Sequence, residues 1–197
     1  MDIWKPVIWK MLLVLLVTLL LLPSVGNICA EEVPQDTWEK AFNKWDGTRE
    51  NWSVPQNSLN GVDFPAEYRD LRVIAVAHRQ GSESIKVILG NDIAVTAARA
   101  KQTAPWPDGT LLVKVVWKHR QLPSEEGSIA PAQLWFIGSM RKHSQKHKDT
   151  LGWEFAMWEG GDLIPYGSDE HVVQECVGCH APLIETDFVF TVPAILP

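Results

Sequence analysis

The stretch Thr110-Leu-Leu-Val-Lys-Val-Val-Trp-Lys118 is the clearest β-strand pattern in this sequence. Side chains of a strand alternate between two faces, and here one face holds Lys114 between Leu112 and Val116, while the other face is apolar. A strand that is apolar on both faces is typical of the buried interior of a sheet. A lysine in the middle of such a strand must reach water at a sheet edge, find a partner or lose its charge.

Further strand patterns flank this stretch, and few helix patterns do. The basic segment 141–150, with His143 and His147, reads as a solvated loop, and two histidines alone are a weak metal signal. The chain therefore predicts a mainly β (α+β) fold, an antiparallel β-sheet sandwich with a few short helices. The expected strands are 71–79, 84–89, 110–118, 132–140, 153–158 and 187–192, and the expected helices are 36–46, one capped by Asn91 and running to about Ala100, and one capped by Ser168 near the C-terminus.

The last of these helices carries the pentad Cys176-Val-Gly-Cys179-His180. Two cysteines three residues apart lie on one face of a helix, where their sulfurs can bond the two vinyl groups of one porphyrin. His180 can then offer an imidazole nitrogen to the iron, which is the pattern of c-type haem attachment. A redox cysteine pair needs no following histidine, and a zinc site needs a second pair of ligands, so haem is favoured over both.

The N-terminus has the three parts of a secretory signal peptide: Lys5 and Lys10, an apolar run over 11–22, and a small residue, Ala30, at the expected cleavage point. A retained membrane anchor is less favoured because the run is shorter than the about 20 residues that a span needs. A lipoprotein anchored at Cys29 ranks lower again. Residues 1–30 are thus expected to be a signal peptide and 31–197 one domain, located in the periplasm.

Cleavage after Ala30 would leave Cys176 and Cys179 as the only cysteines, with no structural disulfide. It would also remove two lysines and one aspartate, which takes the formal net charge from −6 to −7. This negative balance disfavours nucleic acid and anionic membranes as partners.

The pentad lies near the C-terminus, and no methionine follows it. Only Met140 and Met157 remain after cleavage, and both fall in predicted strands upstream. The iron is therefore expected to be five-coordinate, with His180 on one side and an open position for ligands on the other. The four-helix cytochromes c′ also carry a C-terminal pentad, but their helical periodicity is missing here.

The order of motifs resembles the cytochrome P-460 and cytochrome c′-beta family over roughly residues 60–192. The segments that carry the likeness are Phe64-Pro-Ala-Glu-Tyr-Arg69, Asp108-Gly-Thr-Leu-Leu-Val-Lys114, Gly152-Trp-Glu-Phe155, the pentad, and Asp187-Phe-Val-Phe190. The resemblance implies a β-sheet sandwich with a covalently attached haem c and histidine as the only axial ligand from the protein.

In the hydroxylamine-oxidising members of that family, the lysine of the Asp-Gly-Thr segment is cross-linked to the porphyrin. The resemblance gives Lys114 this role, and it makes Lys114 both a cofactor-binding and a catalytic residue. Catalytic members also place an acidic side chain over the open face of the haem, to take protons from the substrate. The strand 132–140 has no carboxylate; Asp108 and Glu154 are conceivable substitutes, and Lys86 is a further basic residue that could reach the haem.

The function expected from the resemblance is the oxidation of hydroxylamine, with nitric oxide chemistry, and electron transfer to a soluble cytochrome. The alternative is a gas-binding protein of the c′-beta type, in which Phe136 and its neighbours make an apolar cap that admits nitric oxide. A plain electron carrier is the third reading, disfavoured by the missing sixth ligand. The oligomeric state stays open, with a homodimer as one option.

Overall fold

The computed structural model of the chain describes residues 53–194. The predicted signal peptide, its cleavage point, Cys29 and the helix over 36–46 lie outside these residues. Its strands and α-helices are β1 Arg72–Arg79, β2 Ser84–Gly90, α1 Asp92–Arg99, β3 Leu111–Gln121, β4 Ile129–Lys142, β5 Trp153–Glu159, β6 Ile164–Pro165 and α2 Val173–His180. Short 3-10 helices cover Ala66–Asp70, Gln80–Ser82, Lys148–Thr150, Glu170–Val172 and Ala181–Thr186.

The six strands form one antiparallel sheet in the order in which they occur along the chain. The mainly β (α+β) class, the antiparallel pairing and the short helix near the C-terminus are confirmed. β3 lies in the interior of this sheet, between β2 and β4. The position of β3 rules out the alternative in which Lys114 reaches water from an edge strand.

The two faces of the sheet support separate apolar clusters. On one face Leu111, Val113 and Val115 of β3 pack with Phe64 and Trp158. On the other face Leu112 packs with residues of α1, with Phe155 and with the segment after α2. Within the described residues the second layer of the predicted sandwich is therefore built from helices and irregular segments rather than from a second sheet.

Helix α1 begins where the sequence predicts. The Asn91 side chain accepts a hydrogen bond from the Ala94 N–H at 3.0 Å, which satisfies one of the free donors of the first turn. The helix ends at Arg99, next to the expected Ala100. Its buried side, Ala94, Val95 and Ala97, faces the same cluster as Leu112.

The start of the C-terminal helical segment differs from the prediction. Asp169, not Ser168, is the cap, because its carboxylate accepts a hydrogen bond from the His171 N–H at 2.9 Å. A 3-10 turn follows, and α2 then carries the pentad through to His180. None of the helices within residues 53–194 is long and apolar enough to cross a membrane.

The predicted strand over 187–192 is wrong. Asp187 and Phe188 have φ values of 54° and 65°, in the left-handed region, which no strand residue adopts. The segment instead turns back beneath α2, and Phe188 and Val189 are buried there. Phe188 and Val189 pack against the apolar cluster of the sheet and α2, without strand pairing.

Candidate haem site

A cavity of about 360 Å³ opens between the sheet and α2. Cys176, Cys179 and His180 line it from the helix, and the central strands line it from the other side. The segment Val189–Thr191 closes a third side. Lys114 and Phe136, which the sequence singled out, also line this cavity, so the structure brings together all five predicted site residues.

Strand pairing explains which side chains face the cavity. Directly paired residues of antiparallel strands point to the same face of a sheet. One row across the sheet is Ile88, Lys114, Gly138 and Met157. The next rows on either side contain Lys86, Val116 and Phe136, and Leu112, Met140 and Phe155. Lys114 thus stands in the centre of the sheet wall, with a glycine beside it.

Lys114 is partly buried in this wall, and its Nζ lies 5.0 Å from the centroid of the Phe136 ring. Among the described residues its amine has no hydrogen bond or ion pair. Burial lowers the pKa of Lys114, and the positive charges of Lys86 and Arg79 lower it further. The structure therefore favours the neutral amine here more than at the surface.

The two cysteines of the pentad are free thiols. Cys176 is partly buried and packs against the apolar cluster beneath the sheet, whereas Cys179 is exposed. Burial raises the pKa of Cys176, and the negative charge of Glu175 adds to this effect. Cys176 therefore lacks the lowered pKa of a reactive thiol, and its buried environment fits a structural attachment point.

His180 ends α2 with its imidazole held on several sides. Its Nδ1–H donates a hydrogen bond of 2.6 Å to the backbone carbonyl of Phe188. The rings of Phe155 and Phe190 contact the imidazole edge to face, with centroids 5.1 and 4.9 Å away. This hydrogen bond occupies Nδ1, and Nε2 has no partner among the described residues.

The protonation state of His180 also suits a metal ligand. Burial lowers its pKa, and Lys114 across the cavity lowers it further, which together outweigh the opposing effect of the hydrogen bond to Phe188. A neutral imidazole whose Nδ1–H is bound to a carbonyl is the usual state of a metal-ligating histidine. The pair of thiols, this imidazole and the apolar cavity walls therefore fit a haem attached through the pentad.

The other residues considered from the sequence lie elsewhere. Asp108 accepts a hydrogen bond from the Ser144 N–H, outside the cavity. Glu154 is on the opposite face of β5, 3.5 Å from His147. His143 and His147 are not helical, and within residues 53–194 no group of three or more histidine, cysteine or acidic side chains could hold a metal ion. Lys86, in contrast, does line the cavity.

Several features of the site were not predicted from the sequence. Met157 lines the cavity from the sheet, beside Met140. Phe155 and Phe190 flank His180, and the carbonyl of Phe188 is its hydrogen-bond acceptor. Alternation along β5 could have placed Met157, but no local pattern reveals the left-handed turn that directs the Phe188 carbonyl to His180.

A sequence model of the family described as Cytochrome P460 matches residues 65–191 of the chain. The matched stretch is well over half of the 197 residues, and it contains every residue that lines the cavity. Comparison with curated proteins gives no match.

Proposed function

Since the chain belongs to the cytochrome P460 family, which implies a haem cofactor, we propose that it is a periplasmic haem c protein that oxidises hydroxylamine. Cys176 and Cys179 bind the haem through thioethers, and His180 is the axial ligand. The side of the iron away from His180 would be open to hydroxylamine, and the haem would supply nitric oxide chemistry there. The electrons leave to a soluble cytochrome.

When bound, the haem supplies an iron that can hold hydroxylamine and accept its electrons. The chain's own residues control what surrounds that iron. His180 fixes it from the helix side through Nε2, because Nδ1 is committed to the Phe188 carbonyl. The apolar side chains of the wall, among them Phe136 and Leu112, limit the access of water.

The observation that carries the proposal is the environment of the Lys114 amine. Its amine lies in the wall of the cavity that the pentad lines, has no hydrogen bond or ion pair in the described residues, and has a lowered pKa. A neutral amine is a nucleophile, and a bond from Nζ to the porphyrin removes the cost of burying a free ammonium. Such a bond would replace one N–H and one ring C–H hydrogen, and its formation would transfer two electrons and release two protons, which requires an oxidant such as hydrogen peroxide.

Two observations support other functions. Gly138 stands beside Lys114 without a side chain, and in the described part of the chain the only carboxylate that lines the cavity is Glu175, on α2. The lack of an acidic group on the sheet wall favours the gas-binding alternative, with Phe136 as an apolar cap. The thioethers of Met140 and Met157 in the same wall favour an electron carrier, if either one reaches the iron.

Mass spectrometry and the visible spectrum of the purified holoprotein separate these three functions. We expect haem that survives denaturing gels, a tryptic peptide in which Lys114 is joined to haem, a red-shifted ferrous Soret band and turnover of hydroxylamine. The ferrous iron should be high-spin and bind carbon monoxide without losing a protein ligand.

Lys114→Leu is the matched variant, because leucine suits the face shared with Leu112 and Val116. It should keep the thioether-bound haem and the fold, but lose the red shift and hydroxylamine turnover. An unmodified Lys114 peptide together with no turnover would leave nitric oxide binding as the function. A low-spin ferrous spectrum that becomes high-spin in Met157→Leu or Met140→Leu would indicate the electron carrier.

A further inference from the structure

A buried ion pair lies behind the turn that holds His180, and the function proposed above does not use it. The Lys142 Nζ is 2.7 and 2.8 Å from the two carboxylate oxygens of Asp187. Both side chains are only 5 % exposed. The sequence placed Lys142 in a solvated basic loop, but it is the last residue of β4 and points into the apolar cluster beneath the sheet.

Asp187 is held at two further points. Its carboxylate accepts a hydrogen bond from the Trp106 N–H at 2.8 Å, and its backbone carbonyl accepts one from the Trp153 indole N–H, also at 2.8 Å. Trp106 and Trp153 are almost completely buried. The carboxylate therefore has several partners in a buried region, where such bonds are strong and directional.

These bonds fix a backbone conformation that the residues would not otherwise adopt. Asp187 and Phe188 are consecutive non-glycine residues in the left-handed region, and this is unusual for a side chain as bulky as phenylalanine. Such a conformation persists only where the surrounding structure determines it. Its result is that the Phe188 carbonyl points at His180 and accepts the 2.6 Å hydrogen bond from Nδ1.

We infer that the Lys142–Asp187 ion pair is a positioning device for His180, which fixes the Phe188 carbonyl so that the imidazole donates strongly to the haem iron. The inference rests on the proposed role of His180 as the axial ligand. A hydrogen bond from Nδ1–H to a carbonyl increases the basicity of the imidazole. A more basic ligand stabilises ferric iron, so the ion pair lowers the reduction potential of the haem.

The test compares the holoprotein with Lys142→Met, Asp187→Asn and the double variant that combines them. Each single variant, and the double variant, should raise the reduction potential and lower the iron–histidine stretching frequency in the ferrous resonance Raman spectrum. The double variant is included because it leaves no unpaired charge in the core, so it should fold even where Lys142→Met does not. Arg141→Met is the control: it removes the neighbouring surface ion pair with Glu67 and should change neither quantity.

A folded double variant with the wild-type potential and stretching frequency would overturn the inference and leave the pair a purely structural one. If every variant loses its haem, the wild-type holoprotein provides the test. The Nδ1 proton of His180 should exchange slowly with solvent in NMR spectra, because the Phe188 carbonyl accepts its hydrogen bond. A fast-exchanging proton would count against the inference. If the wild type shows no iron–histidine band at all, the proposed five-coordinate iron with His180 as its axial ligand is wrong; a band that the variants do not move contradicts the positioning role alone.

Discussion

Lys114 stands where a charged amine is costly to keep. The interior position of β3 denies it a sheet edge, the neighbouring Gly138 offers no acceptor, and Lys86 and Arg79 add positive charge nearby. The face of Phe136 offsets part of this cost, since a cation–π contact is worth about 0.5–1 kcal/mol at an exposed site and about 2 kcal/mol when it is desolvated. The residue is therefore better explained by a reaction partner in the cavity than by its contribution to folding.

The neighbour of Lys114 allows a gain-of-function prediction. Gly138 has an ordinary strand conformation, and a Cβ built on it would be 3.8 Å from the nearest atom outside its neighbours, the carbonyl oxygen of Ala156. Gly138→Glu should therefore fold and place a carboxylate in the cavity wall. Since a positioned general base contributes about 10²–10⁴-fold, we expect hydroxylamine turnover to rise by roughly 10-fold or more.

Steady-state oxidation of hydroxylamine with an artificial electron acceptor measures this effect. Gly138→Gln is the control, because it has the same size without a base and should not increase turnover. Equal rates for both variants and the wild type would mean that proton removal does not limit the reaction at this haem.

At the scale of elements, the segment that leads into α2 determines where the pentad lies. Gly167 precedes the helical segment with a φ of +98°, and a Cβ there would be 2.7 Å from Cγ2 of Val172. Gly167→Ala adds backbone strain and a clash, so it should lower the free energy of unfolding by about 1–3 kcal/mol.

Thermal unfolding of the holoprotein, followed by circular dichroism, measures this loss of stability. Gly161→Ala, where a Cβ meets nothing within 4 Å, should leave the unfolding temperature unchanged, and an equal loss in both variants would contradict this explanation.

The elements that the sequence predicted correctly are those whose signals are local. Periodicity places β1 to β5, and the Asn91 cap places α1, because hydrophobic alternation and capping act over a few residues. The segment 187–192, which follows the pentad, was predicted as a strand. Its real conformation depends on Lys142, Trp106 and Trp153, which lie 34 to 81 residues away in the chain, so no local rule could find it.

The site residues also divide into those with a local sequence signal and those whose positions depend on distant parts of the chain. The pentad by itself identifies Cys176, Cys179 and His180, whereas the roles of Lys114 and Phe136 followed from the family resemblance. Asp187 was visible only as part of a family motif, and Lys142 only as one of several basic residues near a turn. Their pairing follows from the way in which β4 and the chain after α2 meet, which depends on the whole fold.

At the scale of the whole molecule, the cavity is continuous with the hydrophobic core. Ile88, Leu112, Phe155 and Val189 belong to the apolar cluster on this face of the sheet and also line the cavity. A haem bound in the cavity would therefore extend the apolar contacts of this cluster. Large unfilled volumes destabilise proteins because the surrounding structure relaxes only in part.

We therefore expect the haem-free protein to be markedly less stable than the holoprotein. The double variant Cys176→Ala/Cys179→Ala, purified without haem, should unfold at a temperature lower by roughly 10 °C, which at about 2–4 °C per kcal/mol corresponds to about 3–5 kcal/mol. It should also bind a hydrophobic dye, as expected for exposed apolar surface. Adding free haem to this variant tests whether stability is lost through the empty cavity or through the cysteine substitutions themselves. If filling the cavity stabilises the fold, haem bound by His180 alone should recover most of the decrease in unfolding temperature. A haem-free variant that unfolds at the temperature of the holoprotein and binds no dye would show that the core is complete without the haem.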